Sequence, residues 1–128
     1  MATATQLSVQ LNEAEQTAIQ NLLDALCEKY TNDIKQVILF GSKARGDFDQ
    51  DSDIDLLVLT EYENWSLRND IWQMAARIEL AFDVIFNVQL IAAQRWQEMS
   101  AQRFGLCQNV EQDGILISNT FSTANSPE

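Results

Sequence analysis

The residues best suited to chemistry lie in one segment, VILFGSKARGDFDQDSDIDLLVLT, at positions 37–60. An apolar run leads into Gly41 and Ser42, and Asp53 and Asp55 open the next apolar run. Gly41 has no Cβ, so a phosphate or another backbone can approach it closely, while Ser42 offers a hydroxyl and an amide N–H. Residues i and i+2 of a strand share a face, so the two aspartates predict paired carboxylates. Hard oxygen ligands of this kind suit Mg²⁺, which then recruits substrate phosphates.

Two other sites with similar residues can be excluded from the spacing. Aspartates alternate from Asp47 to Asp55, as in an EF-hand, but that loop needs Gly at position 6 and Glu at position 12. Counted from Asp47, those positions hold Ser52 and Val58. A P-loop needs Gly-Lys followed by Ser or Thr, which this segment lacks. A solvated charge run would not lead directly into the apolar residues 56–59, so we interpret the segment as a nucleotide and metal site.

Two cations follow the Gly-Ser pair. Lys43 and Arg45 are the only basic residues between Gln36 and Asn64. Their position favours contact with phosphate. The alternative is local charge balance against the neighbouring aspartates.

The elements that position these residues can be predicted from periodicity and turn signals. Asn12 and Glu15 have the spacing of a capping box at the start of a helix. The predicted elements are a helix over 12–30, strands over 36–40 and 53–60, a helix over 65–80, a strand over 82–91, a helix over 93–104 that ends at Gly105, and a short strand near 115–117. This order predicts an α/β or α+β domain with a small sheet.

Composition bounds the class of protein. The chain has 128 residues, 46% of them hydrophobic, a formal net charge of −11 and no histidine. Ser-His-Asp and Cys-His catalysis and His-ligated zinc are therefore excluded, and electrostatic binding of a nucleic-acid backbone is disfavoured. Cys27 and Cys107 are expected to be free thiols, with one long-range disulfide as the alternative. No signal peptide or membrane span is predicted, so we expect a cytoplasmic protein with a domain over 1–117 and a polar tail over 118–128.

The segment GSKARGDFDQDSDID resembles the Gly-Ser-x10-Asp-x-Asp signature of the polymerase-β-type nucleotidyltransferase superfamily. The short chain and the Ala-Arg-Gly after Gly-Ser make it most similar to the minimal nucleotidyltransferases. Those proteins are typically encoded beside a HEPN-domain ribonuclease toxin and act as its antitoxin. The resemblance covers about residues 10–117 and implies the nucleotidyltransferase fold, a small mixed sheet flanked by helices.

The resemblance also implies a third carboxylate on a later strand, and the best match is Asp83. It is expected at the start of a strand, on the side opposite Phe82 and Val84; the alternative is a solvated carboxylate at a strand end. Two Mg²⁺ ions would be bridged by Asp53 and Asp55, and one of them would also be held by Asp83.

The phosphates of the nucleotide are expected to contact the segment after the first strand. The resemblance implies roles there for Gly41, Ser42, Lys43 and Arg45. Many relatives have Arg where Lys43 stands, and Lys cannot make the bidentate fork that Arg makes. Asp47, Asp49 and Asp51 match no family role and are expected to be solvated.

The activity implied by the resemblance is AMPylation, in which AMP passes from ATP to a tyrosine hydroxyl of the HEPN toxin and silences it. A charge of −11 agrees with a basic protein partner. Three alternatives remain: an antitoxin that masks the toxin without catalysis, transfer to a small-molecule hydroxyl, and transfer to a nucleic-acid end. Relatives that modify small molecules usually carry an additional helical domain, and the charge disfavours nucleic acid.

Overall fold

The computed structural model describes residues 2–3, 11–45 and 53–117, with residues 2, 3, 42 and 45 described by their backbone alone. The polar tail predicted over 118–128 and the segment that contains Asp47, Asp49 and Asp51 lie outside the described residues. The described strands are β1 (Ala2–Thr3), β2 (Ile34–Phe40), β3 (Ile54–Thr60), β4 (Phe86–Ala92) and β5 (Ile115–Leu116). The described helices are α1 (Glu13–Tyr30), α2 (Ser42–Arg45), α3 (Trp65–Phe82), α4 (Ala93–Ala101) and α5 (Gly105–Asp113).

The strands form one mixed sheet in the order β1-β5-β2-β3-β4. β2 runs antiparallel to β3 and places Phe40 opposite Asp55. β4 runs parallel to β3 and places Asn87 opposite Asp55. The prediction of a small mixed sheet flanked by helices is therefore confirmed.

Strand β3 shows how the sheet is covered on both faces. Its even-numbered residues Ile54, Leu56 and Val58 pack into a core cluster with residues of α1 and α3. Leu57 and Leu59 belong to a second cluster on the other face, where α4 and α5 pack. All five side chains are buried, which explains why the strand is almost continuously apolar.

Helix α1 begins as its sequence predicts. The Asn12 side chain accepts a hydrogen bond from the Glu15 N–H at 2.8 Å, and the Glu15 carboxylate accepts one from the Asn12 N–H at 3.0 Å. This capping box satisfies two N–H groups that have no partner within the helix. The apolar face that follows is buried, with Ile19 and Leu22 at most 2% exposed.

The strand predicted over 82–91 was extended too far toward its N-terminus. Phe82 is the last residue of helix α3, and β4 begins only at Phe86. Asp83 is the C-cap of α3 in the left-handed conformation, with φ 56° and ψ 49°. The alternation of apolar residues continues the strand pattern backward, but Phe82 packs against the first core cluster as part of the helix.

Glu79 holds the turn between α3 and β4. Its backbone carbonyl accepts the N–H groups of Asp83 and Val84. Its carboxylate Oε2 accepts the N–H of Phe86 at 2.7 Å. One residue thus satisfies three backbone donors where the helix ends, and fixes the point at which β4 begins.

The helix predicted over 93–104 is also corrected. It ends at Ala101, and Gly105 begins a second helix. Arg103 adopts the left-handed conformation, with φ 59°, that we expected at a glycine. The N–H groups of Arg103 and Phe104 donate to carbonyls of the preceding turn, at 3.1 and 3.2 Å. The short strand predicted near 115–117 is confirmed.

Both cysteines lie among the described residues and are free thiols, as predicted. Within the described ranges, no helix combines the length and apolar character needed to cross a membrane. The tryptophans divide between surface and core: Trp65 is 71% and Trp72 42% exposed, whereas Trp96 packs against a core cluster.

Candidate functional site

The candidate site lies at one edge of the sheet, where β2 ends and β3 and β4 begin. β2 is antiparallel and β4 parallel to β3, so these three strand ends meet. Gly41 follows β2, Asp53 and Asp55 lie at the start of β3, and Asn87 is the second residue of β4. The sheet topology therefore brings the predicted Gly-Ser turn and the Asp-x-Asp pair together.

Gly41 and Asp55 approach each other so closely that only glycine fits. Gly41 has a φ of +77°, which L side chains rarely adopt. A Cβ on Gly41 would overlap the Oδ2 atom of Asp55. The glycine is thus required by its backbone conformation and by the carboxylate packed against it.

The two aspartates flank a residue that anchors the strand start. Ile54 is 1% exposed and its N–H donates to the carbonyl of Ile85 at 2.8 Å. Because alternate residues of a strand point to opposite faces, Asp53 and Asp55 project away from the core that contains Ile54. Asp53 is exposed and Asp55 is half-buried, so carboxylate oxygens face the edge of the sheet.

The oxygen donors at this edge fit a hard divalent cation. Mg²⁺ is commonly held by one or two carboxylates together with substrate phosphates, and Asp53 and Asp55 provide the two carboxylates. Nowhere in residues 11–45 and 53–117 do three His, Cys, Asp or Glu side chains form a group that could hold a metal ion. The two carboxylates leave further coordination positions open for other oxygens, including those of water and substrate.

Asp83 does not stand on the strand that was predicted to carry it. Asp83 is the cap residue at the end of α3, three positions before β4 begins, and its side chain is exposed. The residue that the parallel register places beside Asp55 is Asn87. The Asn87 Nδ2 atom donates to Asp55 Oδ1 at 2.8 Å. The predicted placement of Asp83 on a strand is therefore wrong, and its role as a metal ligand stays a prediction.

Lys43 lies inside the fold instead of on the phosphate-facing surface. Its side chain is 2% exposed, and its Nζ is 2.5 Å from Oε2 of Glu15, which is 8% exposed. Glu15 is also the capping-box residue of α1, so one carboxylate ties the start of that helix to α2. This placement argues against the predicted phosphate contact, because an ammonium enclosed in a buried ion pair does not face a substrate.

Ser42 and Arg45 are described by their backbones alone. They bound the single helical turn α2, in which the Ala44 N–H donates to the Gly41 carbonyl at 3.1 Å. Ala44 is 7% exposed and anchors the turn in the first core cluster. The phosphate contacts predicted for Ser42 and Arg45 stay predictions.

Two residues with a clear place in or near the site were missed. Asn87 is a polar residue within an apolar strand, and this signal can be recognised only once the first residue of β4 is known. Glu79 bonds backbone groups beyond the end of its helix, and the local sequence gives no signal for this. For Glu15 the capping box was predicted, but its contact with Lys43 was not.

Comparison with known proteins agrees with this geometry. The family model described as "Nucleotidyltransferase domain" matches residues 19–113. Two proteins of Methanocaldococcus jannaschii are similar in sequence. "Putative protein adenylyltransferase MJ0604" is 36% identical over 73 residues, covering 57% of this chain and 69% of that protein. "Putative protein adenylyltransferase MJ0141" is 40% identical over 55 residues, which cover 42% of this chain and just over half of that protein, 56%.

Solved structures agree as well. The crystal structure of a mutant MntA-HpeT toxin-antitoxin has a TM-score of 0.50 and 27% identity, covering 89% of this chain and 77% of that chain. A toxin-antitoxin crystallised with AMP-PNP has a TM-score of 0.51 and 24% identity, covering 85% of this chain and 82% of that chain. The similarity to the structure with AMP-PNP supports the assignment of the fold.

Proposed function

Because the chain belongs to the nucleotidyltransferase domain family, we propose that it is an antitoxin that transfers AMP from ATP to a tyrosine hydroxyl of a HEPN-domain ribonuclease toxin. The observation that carries the transferase part of this proposal is the sheet edge at which Gly41 packs against Asp55, with Asp53 beside it. The similarity to proteins named adenylyltransferases and to a toxin-antitoxin structure supports the donor and the class of partner.

The reaction is a displacement at the α-phosphorus of ATP. The acceptor oxygen forms a bond to this phosphorus, the bond from it to the bridging oxygen of the β-phosphate breaks, and pyrophosphate leaves. The acceptor hydroxyl gives up its proton to water. AMP is then joined to the acceptor by a phosphodiester bond.

The residues of the sheet edge would act by holding charge and by orienting the triphosphate. Asp53 and Asp55 would hold Mg²⁺, with the triphosphate supplying further oxygens. When bound, Mg²⁺ supplies charge neutralisation of the triphosphate and acidifies the acceptor hydroxyl. Ser42 and Arg45, at the ends of α2, are proposed to contact the leaving phosphates.

The charge of the chain fits a protein acceptor better than a nucleic-acid acceptor. At −11, the protein attracts a basic surface and repels a phosphate backbone. The charge therefore supports a protein acceptor, which we propose to be a HEPN toxin that is inhibited by modification.

Labelled ATP tests this proposal against masking. The protein is incubated with the proposed partner, a HEPN-domain toxin, together with Mg²⁺ and ATP labelled at either the α- or the γ-phosphate. We expect label on the toxin from α-labelled ATP only. The variant Asp53→Asn with Asp55→Asn should bind the toxin without labelling it. The variant Asp24→Asn with Glu28→Gln, which changes the charge equally on the exposed side of α1, should label it normally.

Two results would contradict the proposal. Label from the γ-phosphate would indicate phosphoryl transfer. An unlabelled toxin that is nevertheless inhibited in the complex would indicate masking. Thermal melting of each variant checks that loss of labelling does not follow from loss of the fold.

A further inference from the structure

The neighbour of Asp55 on strand β4 is neutral. The parallel register pairs Asp55 with Asn87 and Ile54 with Phe86. Ile54 and Phe86 are both buried in the first core cluster, so Asp55 and Asn87 share the opposite face of the sheet. The 2.8 Å hydrogen bond from Asn87 Nδ2 to Asp55 Oδ1 joins the two side chains across that face.

The Asp55 carboxylate lies between Asn87 and Gly41. The Asn87 amide donates to Oδ1, and Oδ2 lies so close to Gly41 that a Cβ there would overlap it. The hydrogen bond to Oδ1 restrains the orientation of the carboxylate, which a metal site requires of its ligands.

A third carboxylate is absent from this arrangement within the described residues. Asp83 is the left-handed C-cap of α3, with its backbone N–H donating to the Glu79 carbonyl, so it lies before β4 and outside the strand register that faces Asp55. No group of three acidic, histidine or cysteine ligands is found in the described ranges. The position beside Asp55 is filled by a carboxamide, which can donate to a carboxylate and also offer an oxygen.

We propose that Asn87, and not Asp83, is the third residue of the site, and that it acts as a positioning residue that fixes the Asp55 carboxylate and adds no charge beside it. This inference rests on the proposed function for its catalytic consequence. Among the described residues, the site offers two carboxylates and a neutral amide, so Mg²⁺ is expected to bind weakly until the triphosphate supplies further oxygens. Mg²⁺ and ATP are therefore expected to bind together.

The first test measures Mg²⁺ binding to the nucleotide-free protein by titration calorimetry. Asn87→Asp adds a third carboxylate and should tighten Mg²⁺ binding at least about tenfold, because ligand charge raises affinity for hard cations. It should also lower the melting temperature at low salt, and Mg²⁺ should restore it. Gln89→Glu is the matched control, since it adds the same charge two residues farther along the same face of β4 and should leave Mg²⁺ binding within about twofold.

The second test separates positioning from binding. Asn87→Leu removes the amide while keeping the same branched arrangement of side-chain heavy atoms, and should lower the kcat of AMP transfer about tenfold to a hundredfold, with the KM for ATP changed less than about threefold. A residue that served only to keep the strand folded would not produce this split between kcat and KM.

Asp83→Asn distinguishes the two candidates for the third position. The inference is overturned if Asp83→Asn weakens Mg²⁺ binding to the protein with ATP while Asn87→Asp behaves like Gln89→Glu. If the Mg²⁺ titrations follow the expected order but the wild-type protein transfers no AMP, the proposed function fails and the place of Asn87 in the site stands.

Discussion

Removing the ammonium of Lys43 should destabilise the protein severely, although the residue lies in the segment predicted to bind phosphate. The Lys43 Nζ and Glu15 Oε2 atoms are 2.5 Å apart, with both side chains at most 8% exposed. Lys43→Met keeps most of the stem and leaves the Glu15 carboxylate buried without this partner. Breaking a buried pair by removing one partner costs about 3–5 kcal/mol. For a domain of this size, that is a fall in melting temperature of roughly 10–20 °C.

A double-mutant cycle identifies the pair as the cause. Glu15→Gln keeps an oxygen that can accept the Asn12 N–H of the capping box but removes the charge. The double variant should recover at least about 2 kcal/mol relative to the sum of the single changes, because no uncompensated charge of this pair remains buried. Urea unfolding measures all four proteins. The reasoning is refuted if Lys43→Met melts like the wild type while its KM for ATP rises tenfold or more, since Lys43 would then contact phosphate.

Three further changes have expected outcomes that follow from single contacts. Gly41→Ala should lower the AMP-transfer rate at least about a hundredfold and destabilise the fold by about 1 kcal/mol or more, because of the positive φ and the overlap with Asp55; normal transfer would contradict the geometry of the site. Asp83→Gly should stabilise the protein by about 0.5–1 kcal/mol in urea unfolding, since glycine adopts the left-handed C-cap conformation without strain; a loss of stability would show that the side chain has a partner. The hydrogen bond from Lys29 lowers the pKa of Asp70, so the wild type should melt above Asp70→Asn at neutral pH; this difference should begin to shrink as the pH falls below about 4 and vanish once the pH is below the lowered pKa of the folded state. A difference that persists at still lower pH would contradict the assignment.

The sequence was sufficient for the parts of the fold and site that depend on local signals. The capping box at Asn12 and Glu15 marks the start of α1, and continuous apolar runs mark β2 and β3. The position of Gly41 between a strand and a turn, and the i, i+2 spacing of Asp53 and Asp55, follow from the same local reading. These features need no knowledge of which distant residues they meet.

The end of α3 could not be predicted because one apolar pattern fits two structures. Phe82 fits the strand alternation with Phe86, but it also lies four residues after Ile78 on the apolar side of the helix. Ile78 and Phe82 both pack against the first core cluster, and this packing favours the helix. Once the helix continues to Phe82, Asp83 becomes its cap and the strand starts three residues later, so the residue beside Asp55 changes to Asn87.

The location of Lys43 depended on a contact across the fold. Glu15 lies 28 positions earlier in the chain, and only tertiary packing brings its carboxylate to the ammonium. Without knowledge of the contact between Lys43 and Glu15, a basic residue after Gly-Ser is interpreted as a phosphate ligand. Arg103 could not be predicted for a different reason: it adopts the left-handed conformation after helix α4 although it is not a glycine.

The mass of the toxin after incubation tests the proposed function most directly. The HEPN protein is incubated with this protein, ATP and Mg²⁺, separated from it, and measured as an intact chain. We expect a gain of about 329 Da for each AMP added, a value set by the chemistry of the group, together with ribonuclease activity that stays low after separation. A toxin of unchanged mass that recovers full activity once separated would contradict AMP transfer as the mechanism of neutralisation.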